Sequence, residues 1–324
     1  MNHYSKPMTN HNLSAKARLE FIRLFRTKGI GPVTFFDISQ QCPDPELLTD
    51  FAAELFAAKK LKKYKIPEAE LAEKELENAQ KFGAQIICYY DEEYPELLKH
   101  IADPPPLLTV KGDISLFDYD LIAVVGSRNV SFQATRFTKS LSEQLSLAKI
   151  VTVSGLAKGV DGICHQNSLE NGTVAVVAAG IDNIYPYENK YLFEKIAKEG
   201  LLVTEFAYGS APKATNFVQR NRIISGLSYG VVVVEAGEKS GSITTARFAN
   251  EQGREVFAVP SFPGDARSAG CNKLIAQGAT FTINSQDIIE KIPELRQNFR
   301  GSNIILPKIV KKPQKQKSAP SKKA

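Results

Sequence analysis

The sequence predicts an α/β fold, a doubly wound parallel sheet preceded by a small helical domain, and three observations carry that expectation. Apolar, β-branched runs recur at 121–125, 150–153, 174–178 and 231–234. Runs that stay apolar instead of alternating suit strands buried on both faces, as in a parallel sheet. Helix-length segments at 131–148, 162–171 and 189–199 separate the first runs. That alternation calls for right-handed crossovers with helices on both faces. Third, the runs end in glycine-containing turns: Gly126-Ser127-Arg128-Asn129, Ser154-Gly155-Leu156-Ala157-Lys158-Gly159, Gly180-Ile181-Asp182 and Ser240-Gly241-Ser242. Parallel topology gathers all of these at the carboxyl ends of the strands, on one rim.

The rim has the chemistry of an anion site. Glycine belongs where the backbone turns tightly or a ligand comes close. Arg128 and Lys158 sit in two of the turns. Arg220, Asn221 and Arg222 lie on the segment before the fourth run, and Ser240-Gly241-Ser242 opens the helix after it. The free N–H groups of a helix start beyond a strand's carboxyl end hold phosphate readily. A guanidinium binds phosphate in a fork, so the expected ligand is polyanionic. The plainer reading of Arg220 and Arg222 is a solvated helix face.

Five segments together, VVGSR at 124–128, SGLAKGVD at 154–161, GIDNIYP at 180–186, FVQRNRIISGLS at 217–228 and SGSITTA at 240–246, resemble the DprA/Smf family of DNA-processing proteins. The resemblance covers roughly residues 85–290 in order. It implies a Rossmann-like core that binds single-stranded DNA, dimerises, and loads the recombinase RecA onto incoming strands in natural transformation. Arg128 and Arg222 are the expected phosphate clamps, backed by Arg220 and Lys158. Ser127, Gly155 and Gly241 are expected to offer backbone N–H groups, with Asn221, Ser240 and Ser242 beside them. Family members often place a basic residue just after the Tyr-Pro pair and another shortly before the phenylalanine of the Arg-Asn-Arg segment. Here the first position is Tyr187, with Lys190 three residues on, and the second region offers Lys213. Tyr185, Tyr187, Phe217 and Phe262 are aromatics near the rim that could stack on bases or serve as wall residues.

Other ligand classes fit poorly. A dinucleotide fingerprint needs G-x-G-x-x-G after the first strand, whereas this chain reads GSRNVSFQ, and no G-x-x-x-x-G-K-[ST] occurs. No cofactor is expected. The four cysteines (Cys42, Cys88, Cys164, Cys271) are scattered without a C-x-x-C pair, so neither a metal site nor disulfides are expected. No apolar run approaches the length of a membrane span, and MNHYSKPMTN lacks the charged-then-apolar pattern of a signal peptide, so a soluble cytoplasmic protein is expected.

At 324 residues with 43% hydrophobic residues, the chain has room for two domains and a tail. The expected divisions are 1–82, helical; 83–294, the α/β domain; and 295–324, a disordered basic tail in place of the small winged-helix-like module that many family members carry. The net charge of +6 is uneven, because residues 296–323 hold nine basic and no acidic residues, leaving the rest with 32 basic and 35 acidic. The tail reads either as an arm drawn to phosphates or as a solubilising end. In the N-terminal part, helices are expected at 13–25, 34–41, 46–60 and 67–82. The Lys28-Gly29-Ile30-Gly31-Pro32 insert resembles a helix-hairpin-helix turn, and the family resemblance implies a SAM-like domain used for protein contacts. Lysines 59, 60, 62, 63 and 65 read as an exposed helix end. Residues 85–90 form an expected edge strand, and Pro104-Pro105-Pro106 an extended stretch.

Asp161, His165, Asp182 and Glu235 are the candidate acid–base groups. Asp161 and His165 stand one helical turn apart, but no activated nucleophile faces His165. Asp161 is expected to cap a helix beginning near Gly162, and His165 to pack within the fold. The rival reading is a LOG-like (lysine-decarboxylase-like) nucleotide phosphoribohydrolase, whose P-G-G-x-G-T-x-x-E turn supplies a glutamate. Residues 235–245 keep the phosphate-binding half, and the next glutamate is Glu251. Binding without catalysis is therefore the expectation.

Overall fold

A computed structural model describes residues 13–61 and 63–295. The tail beyond Leu295, with its expected role, and Lys62 lie outside the described residues. Four helices come first: α1 (Ala15–Arg26), α2 (Pro32–Ser39), α3 (Leu48–Ala58) and α4 (Ala69–Lys81). Then follow β1 (Gln85–Cys88), α5 (Glu96–Lys99), β2 (Leu107–Gly112), β3 (Leu121–Val125), α6 (Phe132–Leu147), β4 (Val151–Ser154), α7 (Val160–Ser168), β5 (Thr173–Val176) and α8 (Lys190–Glu199). The chain continues through β6 (Leu201–Thr204), α9 (Ala214–Gly226), β7 (Gly230–Val233), α10 (Gly241–Glu251), β8 (Glu255–Ala258), α11 (Ala269–Ala276), β9 (Thr280–Phe281) and α12 (Ser285–Lys291).

Among the described residues, the nine strands join one sheet in the order β1-β2-β6-β5-β4-β3-β7-β8-β9. From β6 to β9 every pairing is parallel. The chain winds one way from β3 through β4 and β5 to β6, and the other way from β7 to β9. The direction reverses between β3 and β7, which is where ligands bind in open α/β sheets. The sheet departs from pure parallel pairing at one edge. There β1 and β2 form an antiparallel pair, and β2 also runs antiparallel to β6. β1 is the edge strand expected at 85–90, cut to four residues.

The apolar runs are buried on both faces. Ala123 and Val125 of β3 enter one core with Val151, Val153, Val231 and Val233, while Ile122 and Val124 enter another with Leu141, Leu145 and Ile288. The N-terminal helices have no isolated core. Phe21, Phe35, Leu48 and Phe56 share one apolar cluster with Leu107, Ala175, Val177 and Leu202 of the sheet. Polar ties reinforce this packing. Arg18 forks onto Asp91 at 2.7 and 3.0 Å, and Arg26 grips Glu75 at 2.8 Å while donating to the Glu205 carbonyl oxygen at 3.0 Å. The expected helix-hairpin-helix turn is present. Gly29 takes φ +89°, a conformation that favours glycine. Gly31 then N-caps α2, with Pro32 in its first turn, where proline's missing N–H costs nothing.

Candidate functional site

Three rim loops are locked together before any ligand is considered. Gly126 passes so close to α7 that a Cβ would stand 2.5 Å from Val160 Cγ2. Gly159, at φ +77°, leaves only 2.2 Å between an added Cβ and the Ser127 carbonyl oxygen, and Val160 N donates to that same oxygen at 3.2 Å. The β3 loop and the β4 loop therefore need glycine at their crossing. On the other side, Ser131 caps α6 and its N–H donates to Glu235 Oε1 at 3.1 Å, tying the β3 loop to the end of β7. Glu235 is buried in that structural role.

Helix α9 stitches the remaining loops. Arg220 is 4% exposed and donates from Nη1 to the carbonyl oxygens of Gly155, at 2.6 Å, and Val176. Burial pushes its pKa down to about 10 although Asp161 supports the charge, so it remains a cation at neutral pH. Burial likewise raises the Asp161 carboxyl, against the stabilising charge of Arg220 and an N–H from Ala157 at 3.3 Å. Asn221 accepts from Arg220 Nε at 3.2 Å and donates to the Gly241 carbonyl oxygen at 3.2 Å.

These elements enclose a cleft of about 630 Å3 at the reversal point between β3 and β7. Its walls include Ser127, Arg128, Asn129, Asp161, Phe217, Arg220, Asn221, Lys239, Ser240, Gly241, Ser242, Thr245 and Arg267. Helix α10 begins in this wall. Ser240 accepts from Ser242 N at 3.3 Å, and a Cβ added at Gly241 would meet nothing within 4 Å. The backbone there is open to a ligand, and the partial positive charge of a helix start faces it. Arg128 is exposed and lies 5.4 Å from the Phe217 ring centroid, which in turn packs 5.3 Å from the Tyr185 ring. An exposed guanidinium on an aromatic wall, a helix start and three further cations, Arg220, Lys239 and Arg267, suit a phosphate joined to a base.

Of the expected residues, Ser127, Arg128, Arg220, Asn221, Ser240, Gly241 and Ser242 line this cleft, and Gly155 lies behind it under the Arg220 guanidinium. Arg222 requires a correction. It is 3% exposed and pairs with Glu205 and, at 3.2 Å, with Asp103. Two residues along a helix turn the side chain by about 200°, so Arg222 points away from the face Arg220 presents. Lys158 pairs with Glu188. Lys190 stands 5.7 Å from the Tyr187 ring and 3.8 Å from Glu194. Lys213 is exposed just before α9. None of the three lines the cleft wall. Lys239, Thr245 and Arg267 were missed. Lys239 directly precedes Ser240 and was readable, whereas Arg267 arrives from beyond β8, a strand the pattern did not reveal.

The acid–base candidates all make contacts within the fold, and Asp182 accepts from Gly209 N at 2.8 Å. Helix α7 starts at Val160 with Gly159 as its cap, so Asp161 bonds back to the preceding loop and does not cap the helix. His165 is fully buried and its Nδ1 meets Thr173 Oγ1 at 2.8 Å. Thr173 Oγ1 also lies 2.8 Å from Thr152 Oγ1 and 3.1 Å from the Thr152 carbonyl oxygen, so His165 is tied into a buried hydroxyl pair between β4 and β5. Nε2 is buried without a partner. Glu251 closes the far end of α10 and pairs with Arg247 at 3.5 Å. Among the described residues no three His, Cys, Asp or Glu side chains converge to hold a metal, no helix is long and apolar enough to cross a membrane, and the four cysteines are free and buried.

The comparisons with known proteins fit this architecture. A family model described as DNA recombination-mediator protein A matches residues 85–293, and one for a DprA-like N-terminal HHH domain matches 15–78. The DNA processing protein DprA of Bacillus subtilis is 43% identical over 215 residues, 65% of this chain and 72% of that protein. Protein Smf of Synechocystis is 40% identical over 223 residues, 67% of this chain and 56% of that protein. The crystal structure of DNA processing protein A from Streptococcus pneumoniae superposes with a TM-score of 0.67 at 32% identity, covering 87% of this chain and 94% of that one. The structure of the Helicobacter pylori DNA processing protein A, described for its single-stranded DNA binding mode, gives 0.60 at 29% identity, covering 67% and 96%.

Proposed function

The chain belongs to the DNA recombination-mediator protein A (DprA/Smf) family of DNA-processing proteins, and from that premise we propose that its cleft binds single-stranded DNA, without catalysis, and delivers the strand to the RecA recombinase. The observation that carries this reading is the convergence, at the sheet's reversal point, of exposed Arg128 on Phe217 with the open start of α10. Arg128 and the α10 N–H groups hold phosphate, and Phe217 with Tyr185 offers an aromatic wall to a base. Contacts of this kind read backbone and stacking, so sequence preference is small. The protein acts in the cytoplasm as a homodimer through its α/β part, as the resemblance implies, so affinity rises with strand length until both protomers are spanned.

The test is fluorescence anisotropy with labelled oligothymidylate. Arg128→Ala loses a charged hydrogen bond, about 1.5–3 kcal/mol or roughly ten-fold or more in affinity, with thermal stability unchanged because the side chain is exposed. Unaltered binding at low salt overturns the assignment. The phosphoribohydrolase alternative lacks its glutamate at the cleft, since Glu235 is tied to Ser131 N and Glu251 lies at the far end of α10. Release of free base from nucleoside monophosphates, without binding to single strands, would reinstate it.

A further inference from the structure

A second cleft, about 670 Å3, opens on the other side of the β3 loop, and Arg128 and Asn129 line both. Its apolar side is Leu169 and Leu192, and Tyr191, 76% exposed, stands at its mouth. Lys195 lines it too. Lys190 and the exposed Tyr187 lie beside it at the start of α8. Exposed tyrosines over an apolar floor, flanked by lysines, are the elements from which sequence-tolerant single-strand sites are built. The lysines are not held firmly elsewhere. Lys195–Glu199 and Lys190–Glu194 are exposed pairs at 3.8 Å on one helix, and such pairs contribute little. A phosphate can therefore draw either lysine off its partner.

We propose that this second cleft is a further nucleotide subsite. A single strand leaving the first cleft bends over Arg128 and Asn129 and places its next bases on Tyr191 and the Leu169–Leu192 floor, with Lys195 on the phosphate. The inference rests on the reading of the first cleft as a DNA site. The shared wall selects the ligand, since a chain occupying both sides of one loop must fold back over it. A flexible single strand does this, and a stiff duplex does not. Glu188 also lines the cleft, and its carboxylate is paired with Lys158.

The experiment compares labelled oligothymidylates of roughly four and roughly twelve nucleotides, the short one filling the first cleft alone and the long one reaching both. Tyr191→Ala weakens the long strand at least about five-fold and leaves the short one unchanged. Tyr191→Phe, which keeps the ring, restores full affinity. Lys195→Gln lowers the slope of log affinity against log salt by about one for the long strand only. Arg128→Ala weakens both lengths. If Arg128→Ala weakens both but Tyr191→Ala leaves the long strand unaffected, or Tyr191→Phe fails to rescue, the second subsite is refuted while the first stands. If the short strand does not bind the unaltered protein, or Arg128→Ala does not weaken it, the reading of the first cleft falls, and this inference with it.

Discussion

His165 offers a prediction whose size follows directly from its surroundings. Its ring is fully buried, its Nδ1 shares a hydrogen bond with Thr173 Oγ1, and Nε2 faces no partner. A second proton would place a positive charge in a fully buried site near the Arg220 charge. Burial first, and that charge second, push the imidazole down to about 3 from its ordinary 6.5. The folded state therefore refuses a proton that the unfolded chain accepts. Stability is full above pH 6.5 and falls as acid is added, at up to about 1.36 kcal/mol per pH unit in the window between 6.5 and 3. From about pH 7 to pH 5 the loss integrates to ~2 kcal/mol, a sizeable share of a typical domain's 5–15. Urea unfolding followed by circular dichroism over that range measures it. His165→Phe keeps the ring's bulk but cannot titrate. It forfeits about 1 kcal/mol at neutral pH with the lost hydrogen bond and abolishes the acid-dependent part. Asp161, raised by burial, works in the opposite sense below its own folded pKa, gaining stability as acid protonates it. It is common to both proteins, so it cancels in the comparison. Parallel pH profiles for the two proteins would refute the buried, neutral histidine, and with it the argument that His165 cannot serve the cleft as a base.

Other outcomes follow from the same geometry. Arg222→Ala leaves Glu205 buried and unpaired, costing about 3–5 kcal/mol in urea unfolding. A fully stable Arg222→Ala protein with weakened DNA binding would return Arg222 to the site. Removing residues 296–324 deletes nine positive charges and spares every described residue. The salt dependence of single-strand binding should flatten, and an identical slope would show that the tail makes no phosphate contact.

The four long apolar runs were legible because burial on both faces writes a strong, uniform signal, and each became a central strand. β2, β6, β8 and β9 were not read. β6 is only Leu201–Thr204 and follows Gly200 at the end of α8, too short for any period to emerge. β9 has two residues. With β8 unread, the loop that carries Arg267 to the cleft had no place on the rim. The loop residues around 126–129 and 240–242 were legible for a different reason. Glycine and serine there answer to local demands, a crossing with no room for a Cβ and a helix start in need of a cap. Lys158 and Lys190 lie outside the first cleft, beside neighbouring glutamates, because a lysine's sequence position says little about where its long side chain settles.

Arg220 and Arg222 look equivalent in sequence and divide their work by helical geometry. Helix α9 is buried along most of its second half, so neither guanidinium can be hydrated and each must find partners inside. Arg220 finds backbone carbonyls at the ends of β4 and β5, Asn221 finds α10, and Arg222 finds Glu205 beyond β6. One helix thereby fixes the relative positions of the rim loops, and Arg220 contributes its charge to the cleft from a position that needs no ordering when a ligand arrives. Preorganised charge of this kind favours binding because its desolvation and entropy costs are met at folding. The consequence separates the arginines experimentally. Substituting Arg220 must change stability and affinity together, Arg222 stability alone, and Arg128, exposed at the cleft mouth, affinity alone.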